Sequence, residues 1–553
     1  MKIYNKFLTI LAAAALATAC VQDLDTLPLN PTDATSESVY GKDEQAYVAG
    51  LAKIYFQFVS NDTRDLQVAD GGASELIRAF WSTQETTTDE AKCAWGNDAW
   101  VRDLNSNTWS EAQNDAVYAV YVRTLQGIAY VNEYLRQTSS DKLSDRGVDA
   151  ELAARIDGYR AEARFLRAYL YWMAMDTFGD VPFTTEDSPF GGKYNPAQKS
   201  RADVFKFCVN ELEALASDNS SMPEAKSNYP RADKGSCLGL LARLYLNAEV
   251  YTGTAQWTEA KTTCERIFKL GYKLSPKYSD LFRGDNGENL DARDEMLWTV
   301  AYNAEKTQSY GGTSYLTLAA IAADDLKVAC YNGVNGGWAG LRTSEEFVSK
   351  YFSIDPSEAD FSVAGPEAYT CADERGKMFF IKGRTSSMST NADLYVYLNG
   401  WSCFKFNNTP SDQTIEEFKT TAKSKAFSDI DYPMIRLGEI YLIYAEACMH
   451  TGSEGEGLKM LKALSDRAGV TGPTAITEDY LIAERARELM WEGHRRTDLI
   501  RYKKFHSDDF LWPYKGGSNQ GQGFDAHMDI FSIPPTELAA NPELKQNPGY
   551  LAE

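Results

Sequence analysis

Residues 162–182 read EARFLRAYLYWMAMDTFGDVP, the pattern of a helix and its stop. Phe165, Ala168, Tyr169, Trp172 and Met175 recur at three- and four-residue steps, the apolar stripe of a helix. Phe178-Gly179-Asp180-Val181-Pro182 then ends it, with a C′ glycine and a proline that cannot continue the turn. Upstream, residues 117–135 carry the same period in Val117, Val120, Tyr121, Leu125, Ile128, Val131 and Leu135. Downstream, Ser200-Arg201-Ala202-Asp203 resembles a capping box opening a helix through Leu215. Residues 234–251, a turn at Gly253 and residues 256–270 predict a helix–turn–helix pair. Residues 434–450, a turn at Gly452 and residues 458–468 predict a second. Gly472-Pro473 breaks that run, and the period resumes over 479–501.

The two pairs are weakly self-similar. Ala242-Arg243-Leu244-Tyr245-Leu246-Asn247-Ala248, then Gly253, then Trp257-Thr258-Glu259-Ala260 is a tetratricopeptide-like layout, and Tyr441-Leu442-Ile443-Tyr444-Ala445-Glu446-Ala447 with Gly452 repeats its first half. Stacked pairs bury one another's apolar faces, so the expected fold class is all-α, a tetratricopeptide-like helix-pair scaffold with a superhelical course. The repeats are not tandem, which keeps an irregular helical domain as the alternative. Residues 272–430 separate them, rich in Gly, Tyr, Trp and Asn and poor in helical period. That is too long for a structureless loop. It should fold as short strands, turns and small helices that present side chains. The chain is thus expected to form one body over 41–553. Its scaffold spans 41–271 and 431–505, with an irregular insert at 272–430 and an extended C-terminal segment at 506–553.

The chain has 553 residues, 44% hydrophobic and 12% aromatic, with 56 Lys and Arg against 78 Asp and Glu, a net charge of −22. Such a chain is too apolar for disorder. Its acidity argues against nucleic acid as a partner and against attachment to anionic lipid through a basic patch. Residues 1–19 read as an export signal: Lys2 and Lys6, an apolar run from Phe7, then small residues. Cys20 after Leu16-Ala17-Thr18-Ala19 resembles a bacterial lipobox with its leucine one position early, which implies lipidation at Cys20. Asp23 and Asp25 resemble the acidic flank of Bacteroidetes lipoproteins exported to the outer face. Residues 20–40 then form a lipidated tether, and acyl chains anchor a protein with no spanning helix.

Catalytic and metal-binding patterns are mostly missing. No CxxC occurs, and the four histidines fit no metal spacing. Cys208, Cys237, Cys264 and Cys448 sit in helical patterns as small hydrophobes, while a Cys330–Cys371 or Cys371–Cys403 bridge stays open. No cofactor is expected. The one candidate for a structural calcium is Asp285-Asn286-Gly287-Glu288-Asn289-Leu290-Asp291, whose glycine is misplaced for an EF-hand, so a solvated turn is the favoured reading. The cluster Arg495, Arg496 and Asp498 reads as an ion network sooner than a catalytic one.

Residues 85–109 read ETTTDEAKCAWGNDAWVRDLNSNTW. Tryptophans among loop-type residues, without period, fit a single core stripe poorly. A sugar ring offers an apolar C–H face and a fringe of hydroxyls. An indole suits the face, and Asn, Asp and Arg suit the fringe. Trp95, Asn97, Asp98, Trp100 and Arg102 are therefore candidate glycan-binding residues. Tyr331-Asn332-Gly333-Val334-Asn335-Gly336-Gly337-Trp338 has the same makeup, which adds Tyr331 and Trp338. Such a surface suits long polymers with repeated weak contacts.

Several segments together resemble one family. Thr88-Asp89-Glu90 with Trp100 and Trp109, the block at 162–182, DYPMIRLGEIYLIYAEA at 431–447 and ERARELMWEGHRRTDLIRY at 484–502 are similar to the SusD/RagB family of outer-membrane nutrient-binding lipoproteins. So is the close at 531–550. The resemblance implies a helical body of four tetratricopeptide-like pairs, a lipid anchor at the cell surface, and a SusC-like TonB-dependent transporter as partner. It implies capture of a polysaccharide or oligosaccharide without chemistry. It places ligand contacts near Trp95–Trp100, and adds Tyr310 beside Trp338 as an aromatic of the same region. Two other functions remain as alternatives: a glycoside hydrolase on a helical scaffold, and a repeat scaffold that binds only proteins.

Overall fold

In a computed structural model, the structure describes residues 39–550 apart from 62–65, 67, 69–70, 190, 192–193, 324–331, 386, 389, 415–416 and 418–424. The export signal, Cys20, most of the tether, Cys330 and Tyr331 lie outside the described residues.

This stretch belongs to a 29-residue helix, Ala150–Phe178, capped by the Asp149 side chain, which accepts from Leu152 N. Gly179, with φ of 73°, ends it. From Ala161 onward the burial is wider than one stripe, and nearly every residue to Phe178 is enclosed. The cause is packing on several sides, by helices Glu44–Val59, Asp115–Gln137 and Arg201–Leu215. Tyr169 lies at the centre, its ring 4.6 Å from Trp298 and 5.1 Å from Trp172.

Helices Asp115–Gln137, Ala150–Phe178, Arg201–Leu215, Lys234–Leu246, Trp257–Phe268 and Leu437–His450 each pack on the next. Glu454–Arg467 and Glu478–Leu489 both pack on Leu437–His450. The array crosses the 272–430 insert without a break in packing: Phe268 sits 5.6 Å from Tyr441 and 5.0 Å from Tyr444. This makes an all-α-dominated fold whose non-tandem repeats are neighbours in space. Gly253 and Gly452, at φ of 77° and 71°, turn the chain between paired helices, a conformation in which a Cβ would be strained.

Two helices differ from the periodicity. Residues 432–436 form a strand, Tyr432–Arg436, antiparallel to Met296–Val300, before the helix Leu437–His450 begins. All five of those residues are buried, a fully enclosed strand that periodicity alone cannot separate from a helix. The run at 479–501 is also two helices, Glu478–Leu489 and Arg495–Arg501. Trp491, at φ of 64°, leaves the first helix for the core, where its ring meets Trp81 at 5.5 Å. Its backbone N–H donates to Glu90, and Glu85 accepts from Gly493 N and His494 N.

The insert folds as short helices and 3₁₀ turns with minimal ladders. Leu341–Arg342 pairs with Lys92–Cys93, and Phe379–Phe380 with Ser402–Cys403. Cys371 and Cys403 are free thiols, as are the buried Cys208, Cys237, Cys264 and Cys448. Among the described residues no helix is long and apolar enough to cross a membrane.

Candidate ligand platform

The short helix Leu76–Trp81 anchors the site from below. Its N-cap, Glu75, is fully buried and accepts from Arg78 N at 2.7 Å. The same carboxylate accepts from Gly312 N at 2.9 Å and from the Tyr302 hydroxyl. Burial pushes the Glu75 carboxyl up to about 7, although the Tyr302 hydroxyl and the two backbone N–H groups favour its charged form. Glu75 thereby fixes the turn that follows Tyr310. Arg78 donates to the Tyr310 carbonyl at 3.3 Å, and its guanidinium lies 4.5 Å from the Tyr315 ring and 5.5 Å from Trp95.

Trp338 stands on backbone laced to the end of helix Gly312–Leu318. Trp338 N donates to Leu318 O at 2.7 Å, Ala339 N to Ile321 O at 3.0 Å, and Gly340 N to Ala319 O at 2.8 Å. A Cβ at Gly337 would meet Ile321 O at 2.5 Å, so this approach needs glycine. Trp95 Nε1 donates to the Trp338 carbonyl at 3.1 Å, and Ala94 N donates to Gly340 O at 2.9 Å. The early loop and the insert are thus tied together beneath the surface.

Above this frame Tyr310 is 52% exposed. Its ring centroid lies 6.1 Å from Trp338 at 47° and 5.2 Å from Phe427 at 59°. The three rings form a tilted cluster in which Trp338 and Phe427 are half-buried and Tyr310 is the exposed member. Trp95 backs it, half-buried, with its ring 6.0 Å from Tyr315. Asn97 is exposed, and Asp98, at the N-cap of Ala99–Ser106, makes no side-chain capping bond. Arg102 is exposed and donates to Gly96 O at 2.6 Å.

The structure therefore brings Trp95, Tyr310 and Trp338 together and separates Trp100 from them. Trp100 is 6% exposed and belongs to the main core with Val101 and Leu104, because Asp98 starts a helix that turns this face inward. Trp109 is buried too, donating to the Tyr550 hydroxyl with its ring 4.6 Å from Phe531. Phe427, Arg78 and Glu75 were missed. Phe427 sits alone in KAFSDI and carries no periodic signal, and Arg78 lies inside an apolar run.

The Asp285–Asp291 segment spends its side chains internally. Asp285 accepts from Ser411 N and Oγ at 2.7 Å each. Asn286 bonds Leu281 O and Asp431 O, and Asn289 caps Leu290–Arg293. Among the described residues no group of three or more His, Cys, Asp or Glu could hold a metal ion.

The helical array thus carries a tilted cluster of aromatic rings with Tyr310 exposed. Comparison gives the family. Residues 294–550 match the model of the SusD family, and residues 67–246 match a second model described as starch-binding associating with outer membrane. The starch-binding protein SusD of Bacteroides thetaiotaomicron is 30% identical over 582 aligned residues, covering 99% of this chain and 100% of that protein. The chain belongs to the SusD family. Its fold is also that of a SusD superfamily protein from Parabacteroides distasonis, at TM-score 0.66 and 20% identity over 92% of this chain and 99% of that one. The surface glycan-binding protein A from Bacteroides uniformis matches at TM-score 0.66 and 18% identity, over 91% of this chain and 99% of that one.

Proposed function

We propose that this chain is a cell-surface, glycan-binding lipoprotein of the outer membrane, anchored through Cys20. It captures a polysaccharide or oligosaccharide and hands it, without chemistry, to a SusC-like TonB-dependent transporter. The observation that carries the reading is the tilted ring cluster of Tyr310, Trp338 and Phe427, at spacings of 6.1 and 5.2 Å on hydrogen-bonded backbone. Tilted rings at such spacings match successive C–H faces along a curved oligosaccharide, and preorganisation lowers the cost of binding. Asn97, Asp98 and Arg102 supply the polar fringe. Trp100 enters as a core anchor of that loop. The starch-binding relative makes an α-glucan the first polymer to test.

Affinity gels cast with amylopectin, laminarin and other soluble polysaccharides test the reading. At least one polymer should retard the wild type, and Tyr310→Ala with Trp338→Ala should abolish the retardation. Free migration on every polymer, or equal retardation of the double variant, would overturn it. For delivery, the tagged lipoprotein should co-purify from outer membranes with a barrel transporter. Recovery of the tagged chain alone would remove that step.

A further inference from the structure

A cavity of about 490 Å³ shares no lining residue with the platform. That volume falls within the roughly 300–1,000 Å³ of small-ligand sites. Its wall is aromatic. Phe404, half-buried, stacks on Phe380 at 5.4 Å with only 8° between the ring planes, and Tyr278 and Phe282 continue the surface.

The cations of this cavity divide into two sets. Arg375, Lys405 and Arg467 are neutralised from behind: Arg375 by Asp373, Glu484 and Glu488, Lys405 by Glu492, and Arg467 by Glu295 and Glu488. Lys377, at the surface, pairs with Glu374, the one carboxylate among the described lining residues. Among the described residues Lys277 and Arg283 form no ion pair. Arg283 donates to the carbonyls of Pro410 and Gln413 at 3.1 and 3.4 Å, and its buried Nε has no partner. Asp280 acts electrostatically on both Lys277 and Arg283, and Asp285 on Arg283, but neither carboxylate closes an ion pair with them or lines the cavity. In a chain of net charge −22, two cations that no ion pair among the described residues closes thus line one aromatic-walled cavity.

We propose that this cavity is a second ligand site, for a saccharide bearing a carboxylate or sulfate. The ring's C–H face lies on Phe404, and its anionic group meets Lys277 and Arg283. Guanidinium and ammonium donors recognise such groups through charge-assisted hydrogen bonds, and a flat ring completes the selection for sugar over a bare ion. The site does not depend on the platform.

Calorimetry at low salt tests it, with trigalacturonate, a sulfated chondroitin disaccharide and neutral maltohexaose as probes. The proteins are the wild type, Lys277→Gln with Arg283→Gln, Lys277→Glu and Tyr310→Ala. At least one acidic probe should bind wild type and Tyr310→Ala alike. It should lose at least tenfold in affinity in both cation variants, weaken with added salt, and be displaced by excess of itself but not by maltohexaose. Which acidic probe binds distinguishes carboxylate from sulfate. Lys277→Glu changes an exposed side chain, so it keeps the test valid should the double variant melt early. Failure of both acidic probes, equal binding by Lys277→Glu, or loss in Tyr310→Ala would overturn the site. So would an acidic peptide that binds as tightly as the saccharides.

Discussion

Around Asp89 the chain buries charge, and around Tyr310 it exposes aromatic rings. Arg495 holds Asp89 through paired hydrogen bonds of 2.8 and 2.9 Å and reaches the Tyr351 hydroxyl at 2.7 Å. Burial pushes the Asp89 carboxyl up, yet the Arg495 guanidinium more than offsets this and holds it at about 2. Glu484, Glu488 and Glu492 continue the buried seam against Arg375 and Arg436. Each group there has a fixed partner, from 52 residues away for Arg436 and Glu488 to 406 for Asp89 and Arg495. The platform rings touch one another at a tilt, and Tyr310 stays half in water. The seam specifies which segments meet; the platform leaves contact area for something outside the chain.

The largest expected effect breaks the seam. Arg495→Ala leaves Asp89 buried without its partner, so unfolding in urea should show a loss of about 3–5 kcal/mol. Tyr310→Ala with Trp338→Ala should cost less, about 1–2 kcal/mol, because Tyr310 is half in water and Trp338 only half-buried. Equal losses would erase the distinction between the two regions.

Glu75 links them, since its charge is buried like the seam's but sits under the platform. Its folded pKa, about 7, is raised above the ordinary 4.5. Its contribution to stability is therefore fully present below about 4.5 and is lost as pH rises through about 7. Glu75→Gln keeps a neutral group there. The stability of wild type relative to Glu75→Gln should fall by up to about 3 kcal/mol between pH 4.5 and 8. Stability rising over that interval, as an Asp89-like carboxylate would give at lower pH, would show that Glu75 stays ionised.

Next in size is binding itself. Tyr310→Ala with Trp338→Ala should weaken glycan binding at least tenfold, about 1.4 kcal/mol or more, in protein whose circular dichroism shows it still folded. Phe427→Ala should cost less, because Phe427 meets Tyr310 at one end of the face. A loss in Phe427→Ala exceeding that of the double variant would move the centre of the site.

The same contrast explains what was legible. The helix at 162–178, the capped helix from Arg201 and the turns at Gly253 and Gly452 follow from period and punctuation, which act locally. The strand Tyr432–Arg436 and the break at Trp491 do not, because tertiary partners impose them: Met296–Val300 on one, Trp81 and Glu90 on the other. Trp95 and Trp338 stand out by residue type within loop-like sequence, whereas Tyr310 follows only from the family resemblance. Trp100 shares that type and neighbourhood, yet a helix beginning at Ala99 turns it into the core. Phe427 joins the face only through the fold, as Lys425 O accepts from Asn335 N at 2.9 Å and brings its segment alongside residues 332–338.

The smallest effect concerns the fringe. Asn97 is exposed and Asp98 is half-buried without a capping bond, so both have donors or acceptors to offer at no cost to the fold. A hydrogen bond to a neutral sugar nets about 0.5–1.5 kcal/mol once water is exchanged. Asn97→Ala with Asp98→Ala should therefore weaken binding some two- to tenfold, less than the aromatic pair, and the loss should not vary with salt because the ligand is uncharged. Calorimetry in low and high salt reads both quantities. A loss larger than that of the aromatic double variant would mean that polar contacts carry the site, and the rings would then belong, like Trp100, to the frame.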